Sequence, residues 1–351
     1  MGRTVLAAVL VALPLVGLPA AGAAGTGAVA TVQAGTSALA DFNGDGIDDL
    51  VVGVPGEDIG LSAADAGVVD VIYGSESGLP DGGRQQLTQS LFEAGDQFGA
   101  AVATGDFNGD IFTDLAVGIP GENIGAIADA GVVEIFYGGG GGLPSNGDQQ
   151  LRQGANGMAG TAEAGDRFGD ALASGLVDDG DEADLAIGAP TEDVGATADA
   201  GAVSLVDGAA GGLLGSTNVL ITENTPETGD GFGAAVEIGD LSGGGGTAGP
   251  DDLAVGAPGE NVGAPVDAGA VSLIESADDG SGLPAGAVQE RFFQGNGGVP
   301  GASETGDRFG AALAGGLFGS GGIDLAVGAP GEDVGSAGDA GAVVVLVSPT
   351  L

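Results

Sequence analysis

The segment DLVVGVPGEDIGLSAADAGVVDVIYG, which starts at Asp49, is written four more times along the chain. The later copies read DLAVGIPGENIGAIADAGVVEIFYG, DLAIGAPTEDVGATADAGAVSLVDG, DLAVGAPGENVGAPVDAGAVSLIES and DLAVGAPGEDVGSAGDAGAVVVLVS. Their prolines, Pro55, Pro120, Pro190, Pro258 and Pro330, lie 65, 70, 68 and 72 residues apart. One such unit cannot bury both of its own faces, so neighbouring units must stack on each other.

A second element precedes the last four copies: EAGDQFGAAVA, EAGDRFGDALA, ETGDGFGAAVE and ETGDRFGAALA. Each unit then reads as four short β segments: the FGAAVA run, the DLAVG run, the AGVVEIFYG run, and a polar-apolar run such as QQLRQ, NVLIT or VQERFFQ. Val, Ile and Leu mark the strands, Gly, Pro, Asn and Asp fill the joints, and no window carries a capped helical period. Four antiparallel strands per repeat predict an all-β fold, a β-propeller with five blades. The fifth copy stops after its third strand, and an unassigned strand-like piece, AVATVQ (28–33), precedes the first. Pairing that piece with the last sheet is expected to close the ring and remove an exposed edge, so deleting residues 24–34 should lower the melting temperature.

The first thirty residues hold Arg3, no acid, the apolar run VLAAVLVALPLVGL and a small-residue segment. This predicts a secretory signal peptide over 1–23, cut after Ala23, and a propeller over 24–351. The apolar run is short of the ~20 residues of a membrane span and is broken by Pro14 and Gly17, so no span is expected. The chain has no Cys and no His, and its basic residues are all Arg. That excludes disulfides, Ser-His-Asp and Cys-His nucleophile pairs, Schiff-base lysines and His or Cys zinc sites. A formal net charge of −44 makes nucleic acid and anionic membranes unlike partners and favours cations or basic surfaces.

The Phe-Gly pairs at 98–99, 168–169, 232–233 and 309–310, followed by Gly-Ala-Pro at 188–190, 256–258 and 328–330, resemble the FG-GAP repeat. Gly53-Val54-Pro55 and Gly118-Ile119-Pro120 are close variants. That family forms the N-terminal propeller of integrin α subunits and recurs in glycosylphosphatidylinositol-specific phospholipase D. Integrin propellers have seven blades and this chain five repeats, so the resemblance implies the fold more strongly than a receptor role.

The acids concentrate before the second strand. In DFNGDGIDD, Asp41, Asn43, Asp45 and Asp49 fall at positions 1, 3, 5 and 9 of a calcium-type loop, Gly46 supplies the turn, and Ile47 offers its carbonyl. The resemblance likewise implies Ca²⁺ in the loops joining the first two strands of a blade. The second loop keeps Asp106, Asn108, Asp110 and Asp114, with the Phe112 carbonyl, but puts Ile111 where Gly is expected. A positive φ is penalised at a β-branched residue, so weaker binding is expected there. The third to fifth loops are degenerate and read as ordinary polar turns. Calcium affinity of ~10⁻⁴ M at millimolar calcium would stabilise the fold by about 1.4 kcal/mol per site.

Acids repeated in every blade, such as Glu57, Glu122, Glu192, Glu260 and Glu332, and Asp65, Asp129, Asp199, Asp267 and Asp339, read as turn and inter-blade groups. The expected function is a secreted, calcium-binding, non-catalytic binding or adhesion module for an extracellular protein or glycan. By the resemblance, segments 121–131 and 90–96, opposite the calcium loops, are candidate contacts. The alternative is a carbohydrate-active or other hydrolase using a carboxylate pair. Tyr73 and Tyr137 occupy equivalent positions and read as packing residues rather than sugar platforms.

Overall fold

The computed structural model describes residues 40–79, 84–241, 250–277, 281–283, 289–296, 298–318 and 323–347. Its strands form five antiparallel sheets in chain order, one per repeat. The first sheet holds β1 (Leu50–Val54), β2 (Val68–Ile72) and β3 (Arg84–Leu87), and the second holds β4 (Val102–Gly105), β5 (Asp114–Ile119), β6 (Val132–Phe136) and β7 (Gln149–Leu151). The third holds β8 (Ala171–Gly175), β9 (Asp184–Ala189), β10 (Ala202–Asp207) and β11 (Leu214–Thr222). The fourth holds β12 (Ala235–Gly239), β13 (Asp252–Ala257), β14 (Ala270–Ile274) and β15 (Gln289–Phe292), and the fifth β16 (Ala312–Gly316), β17 (Asp324–Ala329) and β18 (Ala342–Leu346). The chain is a five-bladed β-propeller, all-β as its period-2 runs require. Among the described residues no helix is long and apolar enough to cross a membrane.

The innermost strands line the axis, with β4 packed on β8, β8 on β12 and β12 on β16. Between them is a cavity of about 250 Å³ walled by small side chains such as Ala101, Ala171, Ala235 and Ala312. The FG and GAP motifs meet at the blade junctions. A Cβ on Gly53, Gly118, Gly188 or Gly256 would collide with the carbonyl oxygen of Gly99, Gly169, Gly233 or Gly310, the glycine after Phe in the next blade. The glycines therefore let two sheet backbones touch, and the adjoining phenylalanines, Phe98, Phe168, Phe232 and Phe309, are almost wholly buried there.

The same junction is tied by main-chain bonds. The amides of Gln97 and Phe98 donate to the Asp65 and Ala66 carbonyls, and Arg167, Phe168, Phe232, Arg308 and Phe309 repeat the pattern on the preceding blades. To present these carbonyls, Asp65, Asp129, Asp199 and Asp267 adopt φ values of 53°, 51°, 51° and 52°. The repeated DAG acids are thus turn residues, tolerated in the left-handed region as Asp is.

Four junctions are packed in this way, and among the described residues nothing covers the face of the fifth blade away from the fourth. Val69, Val133, Val203 and Val271 are fully buried, whereas their counterpart Val343 is 70% exposed. Ala340 is exposed where Ala66, Ala130, Ala200 and Ala268 are buried, and a Cβ on Gly328 would have its nearest neighbours on Ala312 of the same sheet, at 3.4 Å and beyond. On the first blade, Leu50, Val52, Val54 and Ile72 are half-buried, while the residues at those places in later blades are buried. The expected closing strand, 28–33, lies outside the described residues. At the first sheet's inner edge, the Asp49 amide donates to the Ala40 carbonyl at 2.8 Å.

Candidate cation loops and the opposite loop face

Antiparallel strands send the loops before β1, β5, β9, β13 and β17 to one end of the propeller and the DAG and Phe-Gly loops to the other. At the first end, the first loop closes on itself. Asp41 accepts from the amides of Asp45 (3.1 Å) and Gly46 (2.7 Å), Asn43 accepts from Asp45 (2.8 Å), and Asp45 accepts from Ile47 (2.9 Å). Gly46 has φ +82° with open space around its Cβ position, so the turn glycine is used for its conformation.

The second loop repeats the fold. Asp106 accepts from Gly109 (2.7 Å), Asp110 (3.1 Å) and Ile111 (2.9 Å), Asn108 accepts from Asp110 (2.9 Å), and Asp110 accepts from Phe112 (3.1 Å). Ile111 stands at φ +75°, 89% exposed, in the conformation that Gly46 holds in the first loop. The two loops also touch: the Asp41 amide donates to the Thr113 hydroxyl at 3.1 Å. Both loops gather hard oxygen donors around one tight turn, and a carboxylate oxygen accepting one amide keeps a second lone pair. This donor set fits Ca²⁺, which takes carboxylate, amide and backbone oxygens.

Asp49 and Asp114 are different from the exposed members of their loops. Asp49 accepts from Phe42 (3.0 Å) and Gly74 (2.8 Å), and Asp114 from Phe107 (2.8 Å) and Gly138 (2.8 Å). Asp184 binds Val177 and Gly208 in the same way (2.9 Å each), and Asp252 binds Leu241 and Ser276 (3.1 Å each). The aspartate opening strand two is therefore a clamp joining three strand ends, in loops with and without the rest of the donor set. Burial pushes Asp114 up to about 7, against two amide bonds that pull it down.

The third loop, read from sequence as a turn, assembles an acidic group. Carboxylate oxygens of Asp178, Asp184 and Asp207 lie within 4.8 Å of one another. Asp207 ends β10 at the place that Tyr73 and Tyr137 hold in the first two blades. Those tyrosines donate to Gln85 (2.6 Å) and Gln149 (2.5 Å) and accept the amides of Leu143 and Leu213 in the next blade, which makes them packing residues. The signal for the third cluster was that Tyr-to-Asp change, some twenty residues away from the loop itself.

At the opposite end the junction between the first two blades differs from the rest. Leu61, in the DAG loop, is fully exposed, and Leu91 and Phe92, in the segment 90–96, are 85% and 41% exposed. The two loops are joined by the Gly95 amide donating to the Ala64 carbonyl at 2.9 Å. The axial cavity, by contrast, has Asp170 and Glu237 as its lining carboxylates amid alanine, valine, leucine and glycine.

The family model for the FG-GAP repeat matches residues 34–72 and 98–136. Among curated relatives, the phosphatidylinositol-glycan-specific phospholipase D of Mus musculus is 40% identical over 103 residues, 28% of this chain and 12% of that protein. Integrin alpha-V of Gallus gallus is 33% identical over 186 residues, 50% of this chain and 15% of that protein. Integrin alpha-PS2 of Drosophila melanogaster is 33% identical over 164 residues, 44% of this chain and 11% of that protein. The chain thus matches a small part of the length of these relatives. With Phe-Gly meeting Gly-Ala-Pro, or its Gly-Val-Pro and Gly-Ile-Pro variants, at four blade junctions, this chain is a five-bladed β-propeller that carries FG-GAP repeats and is homologous over part of its length to the integrin α subunits.

Proposed function

We propose that the chain is a secreted, calcium-stabilised FG-GAP propeller that acts as a non-catalytic binding or adhesion module for an extracellular protein. The observation that carries this reading is the apolar group of Leu61, Leu91 and Phe92 on two hydrogen-bonded loops, at the end away from the Asx-rich loops. Large exposed apolar side chains on a rigid scaffold are the usual centre of a protein contact. The later blades carry smaller groups there: Ala126 and Ala196 lie in the loops of the second and third, Val266 and Val334, 51% and 56% exposed, in those of the fourth and fifth, and Thr225 and Pro226 replace Leu91 and Phe92 before the fourth blade. Calcium at Asp41, Asn43, Asp45, Ile47 and Asp49, and at Asp106, Asn108, Asp110, Phe112 and Asp114, would hold the far end of the first two blades rigid.

The test is a binding screen against surface proteins and glycans with and without Ca²⁺, using the wild-type chain and Leu91→Asp/Phe92→Asp. A ligand captured by the wild type and lost by the double variant supports the reading. Capture that ignores the substitution places the contact elsewhere, and release of reducing sugar from a polysaccharide panel favours the hydrolase alternative.

A further inference from the structure

Each packed junction contains one trio of polar side chains: the residue leaving the fourth strand, the Asp before Phe-Gly, and the Glu after Pro. The trios are Gln89, Asp96 and Glu122; Gln153, Asp166 and Glu192; Glu223, Asp230 and Glu260; and Gln294, Asp307 and Glu332. In three of them the Gln amide donates to the second Glu oxygen, at 2.8, 2.7 and 2.5 Å. In the trio between the third and fourth blades the donor is missing, because Glu223 stands where the others have Gln.

Arg291, from β15, partly replaces it. Its Nη2 binds Glu260 Oε1 and its Nη1 reaches Glu223 Oε1 at 3.4 Å. The guanidinium thereby uses one oxygen of each glutamate and leaves Glu223 Oε2, Glu260 Oε2 and Asp230 Oδ1 buried without a partner. Glu223, Asp230 and Glu260 are 5%, 0% and 3% exposed, and one oxygen from each lies within 4.8 Å of the others. Three ionised carboxylates and one guanidinium leave a charge of about −2 out of water, which is costly unless something neutralises it.

We propose that Glu223, Asp230 and Glu260 form a buried site for a divalent cation, Ca²⁺ or a cation of similar chemistry. Three buried carboxylates, each with a partnerless oxygen, meet the hard-oxygen preference of such ions, and calcium–oxygen distances of about 2.3–2.6 Å suit carboxylates whose oxygens approach one another this closely. A divalent charge would cancel the remaining −2.

Calorimetric titration of the full chain with CaCl₂ at pH 8 tests this. Glu223→Gln installs the residue found in the other three trios, so it keeps the junction packed. It should reduce the number of bound ions by one. Asp41→Ala/Asp45→Ala/Asp106→Ala/Asp110→Ala removes the Asx-rich loops and should retain that one ion, which separates this site from theirs. Anomalous diffraction from crystals soaked in MnCl₂ gives a readout independent of variant folding, with a peak expected among the three carboxylates. An unchanged ion count in Glu223→Gln, or no peak there, would overturn the proposal.

Discussion

Replacing Gly256 by Ala should be far more damaging than replacing Gly328 by Ala, although both are the glycine of an identical LAVGAPGE stretch. A Cβ on Gly256 would run into the Gly310 carbonyl oxygen and sit 3.0 Å from its carbon. The obstacle is main chain, so the fifth sheet must move away bodily. Overpacking of this kind costs about 1–3 kcal/mol, with the upper end appropriate where no side chain can rotate aside. Gly328 has its nearest neighbour, the Ala312 Cβ, at 3.4 Å, an ordinary contact. Alanine there restricts the unfolded chain and is neutral or stabilising by about 0.4–1 kcal/mol. The two variants should therefore differ by roughly 3 kcal/mol, about two orders of magnitude in the folding equilibrium. Urea unfolding followed by far-ultraviolet circular dichroism measures the difference, provided the slopes of the two transitions agree. Equal losses in both variants would show that the outer face of the fifth blade is covered after all, as by residues 28–33. A neutral Gly256→Ala would refute the contact between the two motifs.

The exposed face makes a matching prediction for side chains: Val271→Ala should cost about 2 kcal/mol as a buried truncation, while Val343→Ala, 70% exposed, should cost under about 1. Ile111→Gly removes a left-handed β-branched residue whose side chain is 89% exposed. Relief of about 1–3 kcal/mol outweighs the entropy of the added glycine, so a higher melting temperature is expected, and a lower one would refute strain at this turn. Burial, with Glu122 nearby, pushes Glu134 up to about 7, so the fold holds its proton more tightly than the unfolded chain does. The contribution is favourable below the ordinary glutamate range and lost as pH rises from about 4.5 towards 7. Glu134→Gln should flatten the fall of melting temperature across that window, and an unchanged slope would place the titration elsewhere.

The blades were legible because a strand buried on both sides must be written in Val, Leu, Ile and Ala, and because each blade restates the pattern. The Asx-rich loops were legible as candidate ligand sets because their donors lie within nine residues of one another. What could not be read was any cluster closed through space. Asp207 joins Asp178 and Asp184 across a strand pair. Glu223, Asp230 and Glu260 come from two blades, and their meaning rests on Arg291, which lies on a third segment. The role of Asp49 and Asp114 was only half legible: their spacing gives a ligand position, while the structure shows each also holding two amides. A residue needed in every blade for joining strands keeps its place in loops that have lost the other donors, so its presence alone says little about metal.

The same distinction bears on why so acidic a chain can pack at all. At the clamp positions a buried carboxylate accepts main-chain amides from the adjoining strand ends, so much of its desolvation is offset by bonds a neutral side chain could not all accept. At the blade junctions a carboxylate instead faces another carboxylate, as Asp166 faces Glu192, whose acid is pushed up to about 7 by burial and by that neighbour. There a single Gln amide supplies the missing donor, and the charge left over is small enough for one proton to settle. Changing that Gln to Glu, as the chain does at residue 223, adds a charge and removes a donor in one step, which a lone Arg corrects only in part. The consequence is that cations would act on this propeller in two physically separate ways. Exposed Asx-rich loops can keep water on their free oxygens, whereas the trio leaves three buried carboxylate oxygens that Arg291 does not reach.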